Sequence, residues 1–396
     1  MKAKDEIDIA PVISEEEDSE TALRPYEILT YPADYTLEIL VKKWEDREVR
    51  PPNLQRRFVW PQARASKLIE SFLMGLPVPP IFLYQDREEA DLLIVDGHQR
   101  LRSVAYFFSG WFGEEGDPKR VPFELIGLSE DSPFSGLTYQ QLENTSPVAF
   151  KKFKDCVLRA YVMRQIHPAD NDASILEVFG RLNTGGMALH GQEIRNCIYE
   201  GPFNELLKEL NKNKDWRKIV GTEAEDKRMR DIELILRFLA LFYNIKNYEK
   251  PMKEFLNTFM KAYRLPPQEN PKDSDAKKKA IAEKRKAYAA QMKAFEDIFT
   301  RTAQAVVQYL GPKPFHILRG LNAAVFDSVF TAFALHVDKV SNGKATAAKI
   351  KQVRDKFENL LDVKKNKQYA KWISAATTDQ DVVPSRLRKA EKVLFG

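Results

Sequence analysis

The chain has 396 residues, which at about 150 residues per domain gives room for two or three domains and a sizeable core. Apolar residues are 43% and charged residues 30% of it, a balance that excludes fibrous, collagen-like and wholly disordered proteins. The net charge is +5 and there are only two cysteines, Cys156 and Cys197, so neither a disulfide framework nor a Cys/His zinc cluster is expected, and a reducing cytoplasm is the natural compartment.

Residues 1–20 hold eight acidic side chains against Lys2 and Lys4, and residues 1–24 read as a disordered acidic tail with no apolar core of the signal-peptide kind. The balancing positive charge lies elsewhere: from Lys339 onward there are fourteen Lys/Arg against six Asp/Glu. The fold is expected to start near Pro25. Residues 35–45 predict a short amphipathic helix, which Arg50-Pro51-Pro52 ends. Ile69, Phe72, Leu73 and Leu76 then mark a second helix by their i, i+3, i+4, i+7 spacing, stopped by Pro77, Pro79 and Pro80. Residues 81–84 and 92–95 have strand length and composition, and Asp96-Gly97 turns the second strand into a helix that keeps Leu101, Val104, Ala105 and Phe108 on one face. Residues 121–126 and 156–163 are further expected strands, with a polar helical stretch between them. Helices are predicted at 171–182 and 192–199, joined by Asn183-Thr184-Gly185-Gly186.

Beyond residue 200 the pattern is helical, with a stripe of Met229, Ile232, Leu236, Leu239 and Tyr243. Helices follow at 251–263, over the Lys/Ala-rich run before Gly311, and at 321–337 and 346–361, with a Pro-rich linker near 264–275. The apolar stretches 234–243 and 321–337 are too short for a membrane span or are interrupted by Arg237 and Asp327.

Three segments can carry chemistry. In LLIVDGHQRLRSV (92–104) an apolar strand delivers Asp96, Gly97 permits a sharp turn, and His98, Gln99 and Arg100 open the next helix. The positive end of a helix there suits a phosphate. Arg100 could clamp the phosphate, Gln99 could donate a hydrogen bond, His98 could bind phosphate or shuttle a proton, and Asp96 could hold magnesium or orient water. The alternative is that Asp96 caps the helix and Arg100 pairs with a surface acid. In NLQRRFVW (53–60), Gln55, Arg56 and Arg57 precede Phe58 and Trp60, aromatics that could anchor the loop so that its arginines face a ligand, although a structural role is the better reading of Trp60. In FGRLNTGGMALHGQEIRN (179–196), Arg181, Asn183 and Thr184 occupy a Gly-rich turn able to face an anion, while Glu193, Arg195 and Asn196 follow on a helix where Glu193 could simply complete a capping box. No P-loop and no G-x-G-x-x-G is present.

In this order, QRRFVW, GLPVPPIFLY, IVDGHQRLRSV and VFGRLNTGGMALHGQEIRN resemble the N-terminal domain family of GmrSD-type restriction endonucleases, within the ParB/sulfiredoxin-like superfamily. The helical continuation resembles stand-alone members of that family. The resemblance implies an α+β fold, with a small mixed α/β domain over 25–200 followed by a mostly α-helical region over 201–396. It also implies a pocket that binds NTP with magnesium, built from Asp96, Gly97, Gln99 and Arg100 with Gln55, Arg56 and Trp60 beside them and Asn183, Glu193 and Arg195 from the third segment. His98 stands where the family often has glutamine, and His190 where a helix-starting Ser or Thr is common. No recognisable His-Asn-His nuclease segment follows. The function this implies is that of a nucleotide-dependent, DNA-acting protein of the anti-phage restriction type, hydrolysing NTP or nicking DNA. DNA would meet the basic C-terminal helical region, and the chain could form homo-oligomers. The alternative is a non-catalytic DNA-binding or modification-sensing module that regulates a separately encoded nuclease.

Overall fold

A computed structural model describes residues 27–51, 58, 60–85, 91–118, 120–167, 178, 181–182, 190–199, 201–266, 274–317, 320–341 and 345–396. The acidic tail, most of the 171–182 helix with its Gly-rich turn, and most of the 264–275 linker lie outside the described residues. The chain divides into two compact units, Pro25–Leu189 and His190–Gly396 apart from the N-terminal tail.

The first unit is built on a five-stranded mixed sheet. Strand β1 (Glu27–Thr36) runs directly into helix α1 (Leu37–Glu45), because Thr36 turns the chain and its hydroxyl accepts from the Ile39 N–H at 3.3 Å. After β2 (Val49–Arg50) comes α2 (Gln62–Met74), which buries Ala65, Ile69, Phe72 and Leu73 at helical spacing and stops at Gly75 in the left-handed region. Strands β3 (Ile81–Gln85) and β4 (Leu92–Asp96), helix α3 (His98–Ser109), the short strands β5 (Trp111–Phe112) and β6 (Val121–Pro122), helices α4 (Tyr139–Thr145) and α5 (Pro147–Asp155), and strand β7 (Val157–His167) complete the unit. The sheet order is β1-β7-β3-β4-β2. The β1–β7 and β3–β4 pairs are antiparallel, and the β3–β7 and β2–β4 pairs are parallel. One sheet face, carrying Ile81, Leu83, Ile94, Leu158, Ala160 and Val162, packs with Leu101, Val104, Phe72 and Phe153 from the helices. Phe107 meets Phe123, Tyr139 and Phe153 edge-on at 5.4, 5.7 and 5.5 Å between ring centres.

Two local expectations differ from the outcome. The sequence does not announce β1, and of the expected strand 121–126 only Val121–Pro122 pairs. Pro122 has no N–H to extend a ladder, and after it a single bond follows in the same register, from the Phe123 N–H to the Gly110 carbonyl at 2.9 Å.

The second unit is helical, and it comprises α6 (Gly191–Ile198), α7 (Pro202–Asn211), α8 (Lys214–Val220), α9 (Arg230–Asn244), α10 (Met252–Ala262), the long α11 (Asp275–Leu310), α12 (Ala323–Leu335), α13 (Val337–Ser341), α14 (Ala347–Leu361), α15 (Lys367–Trp372) and α16 (Val382–Phe395). A two-residue hairpin, His316–Ile317 with Gly320–Leu321, precedes α12. Residues 231–241 of α9 and 323–334 of α12 are buried on every side, as expected of helices running through a core rather than over it. The fold is thus α+β, a mixed-sheet unit followed by a helical one.

Candidate functional site

The strand-turn-helix unit forms as its residues dictate. Strand β4 is buried along Leu92–Val95 and delivers a part-exposed Asp96 at its end. Gly97 follows at φ +97°, and a Cβ there would overlap Ile81, standing 2.8 Å from that residue's own Cβ. A side chain is excluded both by backbone conformation and by space. Gly97 is also the N-cap of α3, so no cap side chain covers the helix start, where the dipole is positive.

Arg100, one turn on, reaches back. Its Nη2 donates to Asp96 Oδ2 at 2.7 Å and to the Pro80 carbonyl at 3.0 Å. This settles what Arg100 pairs with: Asp96 itself, rather than a more distant surface acid. Asp96 makes no capping bond. Gln99 Oε1 accepts from the Trp60 N–H at 3.4 Å, so the end of the second motif is brought to the first. The Trp60 ring in turn carries the Arg64 guanidinium, 4.4 Å from its centre. Phe58 packs against Tyr106 and Phe112, at 5.0 and 5.4 Å between ring centres. Both aromatics thus have packing partners, whereas Gln55, Arg56 and Arg57, the side chains they were expected to aim, lie outside the described residues.

The sequence reading missed two neighbours of this turn. Trp44 of α1 lies 6.1 Å from the His98 ring, centre to centre. Phe82 of β3 is in register with Asp96 and stacks on Tyr161 of β7 at 5.6 Å. The register shifts between Phe82 and Leu83, so regular pairing of the two expected strands would have set Phe82 opposite Val95 and missed this arrangement.

The third motif divides. Arg181 is exposed, while Asn183 and Thr184 lie outside the described residues. Glu193 and Arg195 belong to α6 of the helical unit. There Glu193 does close a capping box: its carboxylate accepts from the His190 N–H at 2.7 Å, while His190 Nδ1 takes the place of the usual hydroxyl. Arg195, 1% exposed, is bonded to Gln192 and forms a buried ion pair with Glu233 of α9. Burial pushes the Glu233 carboxyl up, but the Arg195, His190 and Arg237 charges outweigh it and hold the group below the ordinary carboxylate range.

Among the described residues, no group of three or more His, Cys, Asp and Glu is placed to hold a metal ion, and no helix is long and apolar enough to cross a membrane. Asp96 is a single carboxylate whose Oδ2 is already held by Arg100, so a magnesium ion at this turn would depend on the polyphosphate that brings it and on water for most of its ligands.

Residues 37–200 match the family model described as GmrSD restriction endonuclease, N-terminal domain. No curated protein and no solved structure matches the chain. The matched stretch takes in α1 to β7, with the whole Asp96–Arg100 turn, and continues through α6. Over residues 37–200 the chain is therefore similar to the GmrSD restriction endonuclease N-terminal domain family.

Proposed function

We propose that this is a nucleotide-dependent, DNA-acting protein of the restriction and phage-defence type, working in the cytoplasm, in which the β4–α3 turn binds the phosphates of an NTP. The observation that carries the proposal is the turn itself: an obligatory glycine, a helix start without a side-chain cap, and an arginine fixed across it, inside a domain of restriction endonucleases. Arg100 is oriented by Asp96 and the Pro80 carbonyl, so it meets an incoming anion without losing side-chain freedom at that moment. Its charge and the helix dipole stabilise negative charge on a phosphoryl group, and Asp96 positions water or the magnesium that accompanies the nucleotide. Phe82, the register partner of Asp96 across a shift in the β3–β4 ladder, stacks on Tyr161 in the same sheet.

The test is NTP hydrolysis with magnesium, with and without plasmid DNA, by the full chain and by Asp96→Ala and Arg100→Ala. Turnover that disappears in both variants, with circular dichroism unchanged, is the expected result. Unchanged turnover in Asp96→Ala removes that residue from the mechanism.

A second reading is favoured by one observation. Asp96 and Arg100 are each other's partner at 2.7 Å, which occupies the two groups a hydrolase would need for water and phosphate. The turn would then hold its ligand without chemistry, in a module that senses DNA or its modification and regulates a separate nuclease. Nucleotide or DNA binding with no turnover and an intact plasmid would select this reading.

A further inference from the structure

The basic excess after Lys339 is the obvious place to seek a polyanion site, yet much of it is committed within the helical unit. Arg386 is fully buried on Asp327, Lys349 donates to the Lys339 carbonyl, Arg354 to that of Tyr309, Lys356 to that of Leu394, and Lys365 to the Asn359 side chain. The first half of α11 is different. One side of it packs inward through Ile281, Met292 and Phe295, and the Tyr288 hydroxyl accepts from the Phe203 N–H at 3.1 Å. The other side faces solvent and carries Lys279, Lys286 and Lys293.

Seven residues are nearly two helical turns, so these three lysines line up on one face, about 10 Å apart in rise. All three are exposed, and none forms an ion pair among the described residues. Ala282, Ala289 and Ala290 lie on the same side with one carboxylate, Glu283, so that this side carries three ammonium groups against a single acid. Over residues 275–294 there are seven Lys/Arg against only Asp275 and Glu283, and Asp275 is in the first turn, where a carboxylate complements the helix dipole.

The geometry points to this lysine stripe as a contact for the phosphate backbone of duplex DNA, and the inference rests on the DNA-acting reading above. A straight row of flexible cations about 21 Å long follows a rod of closely spaced phosphates, while the small alanines let the backbone approach. Lysines on phosphates fix position and register but read no bases. The stripe therefore holds DNA of any sequence, and selection is left to other parts of the molecule.

The test uses the full chain and a labelled DNA duplex, with Kd measured across a salt series. The stripe variant is Lys279→Gln/Lys286→Gln/Lys293→Gln. A charge-matched control is Lys351→Gln/Lys364→Gln/Lys371→Gln, drawn from exposed lysines elsewhere in the unit. Glutamine is a good helix former, so α11 should persist, and the Lys→Arg triple checks that charge is the cause. Losing three phosphate contacts should lower the slope of log Kd against log salt by about 2.7 and weaken binding by about tenfold or more. The control and the Lys→Arg triple should stay within about one unit of the wild-type slope. If wild type binds DNA but stripe and control variants behave alike, the stripe assignment falls and the DNA-acting reading stands. If wild type binds no DNA at any salt, both fall. Tighter binding of duplex RNA through the same lysines would overturn DNA as the occupant.

Discussion

Arg237 of α9 and Asp327 of α12, ninety residues apart, meet as a two-point ion pair in the core of the helical unit, with Nε to Oδ1 at 3.2 Å and Nη2 to Oδ2 at 2.5 Å. A second guanidinium, Arg386 of α16, reaches the same carboxylate at 3.4 Å, and Arg386 and Asp327 are fully inaccessible to solvent. Burial pulls the Arg237 charge down, but the Asp327 carboxylate overrides this and holds it above its ordinary range. The two residues that interrupt the most apolar stretches of the sequence thus neutralise one another.

Removing one member of a buried pair leaves its partner charged and dry, which costs about 3–5 kcal/mol. Asp327→Ala strands two arginines at once, so it should destabilise the helical unit by at least that amount. Urea unfolding followed by circular dichroism will show it, and a midpoint close to wild type would mean that the pair is not desolvated.

Glu233 gives this unit an acid-sensitive edge. Its carboxyl titrates lower in the folded chain than in the unfolded one, so the stabilisation is complete above the unfolded value and is lost as pH falls through the folded value. Stability should decline below the usual carboxylate range, and Glu233→Gln should be less stable at neutral pH with a flatter acid limb. Urea midpoints at stepped pH test both expectations, and parallel acid limbs for the two proteins would rule out Glu233 as the cause.

At the turn, Gly97→Ala forces a Cβ onto Ile81 at a φ of +97°. Strain of this kind costs about 1–3 kcal/mol. The variant should lose stability and, through displaced amides at the start of α3, nucleotide affinity. Calorimetric titration with an NTP beside a thermal melt separates the two effects, and wild-type values in both would show that the turn can relax.

Phe107 is fully buried among three aromatic neighbours. Phe107→Ala should cost about 3–5 kcal/mol, unfolding the sheet-bearing unit at lower denaturant, as read by near-ultraviolet circular dichroism.

What was legible in the sequence follows from how each element is buried. Helices α2 and α3 and strands β3 and β4 each have one or both faces covered, so their apolar spacing reported them directly. Strand β1 lies at the sheet edge, mostly exposed and with Pro32 in its middle, and it exists because β7 pairs with it from Glu27 to Thr36. That partnership is long-range and leaves no local pattern. The same holds at the site. Asp96 and Gly97 stood out as a motif, whereas Trp44 and the Phe82–Tyr161 stack arrive only through packing and strand register. Arg195, singled out as a pocket residue, finds its counter-charge on α9, thirty-eight positions away.

The carboxylate of Asp327 is shared by helices far apart in the chain, α9 and α16. Without α16, Asp327 has one arginine instead of two, and the face of α12 that packs on Val383, Leu387 and Ala390 stands open. The helical unit is then a structure that closes only once α16 is in place. Nested C-terminal truncations should turn from protease-sensitive to protease-resistant as α16 is restored, rather than gaining protection one helix at a time.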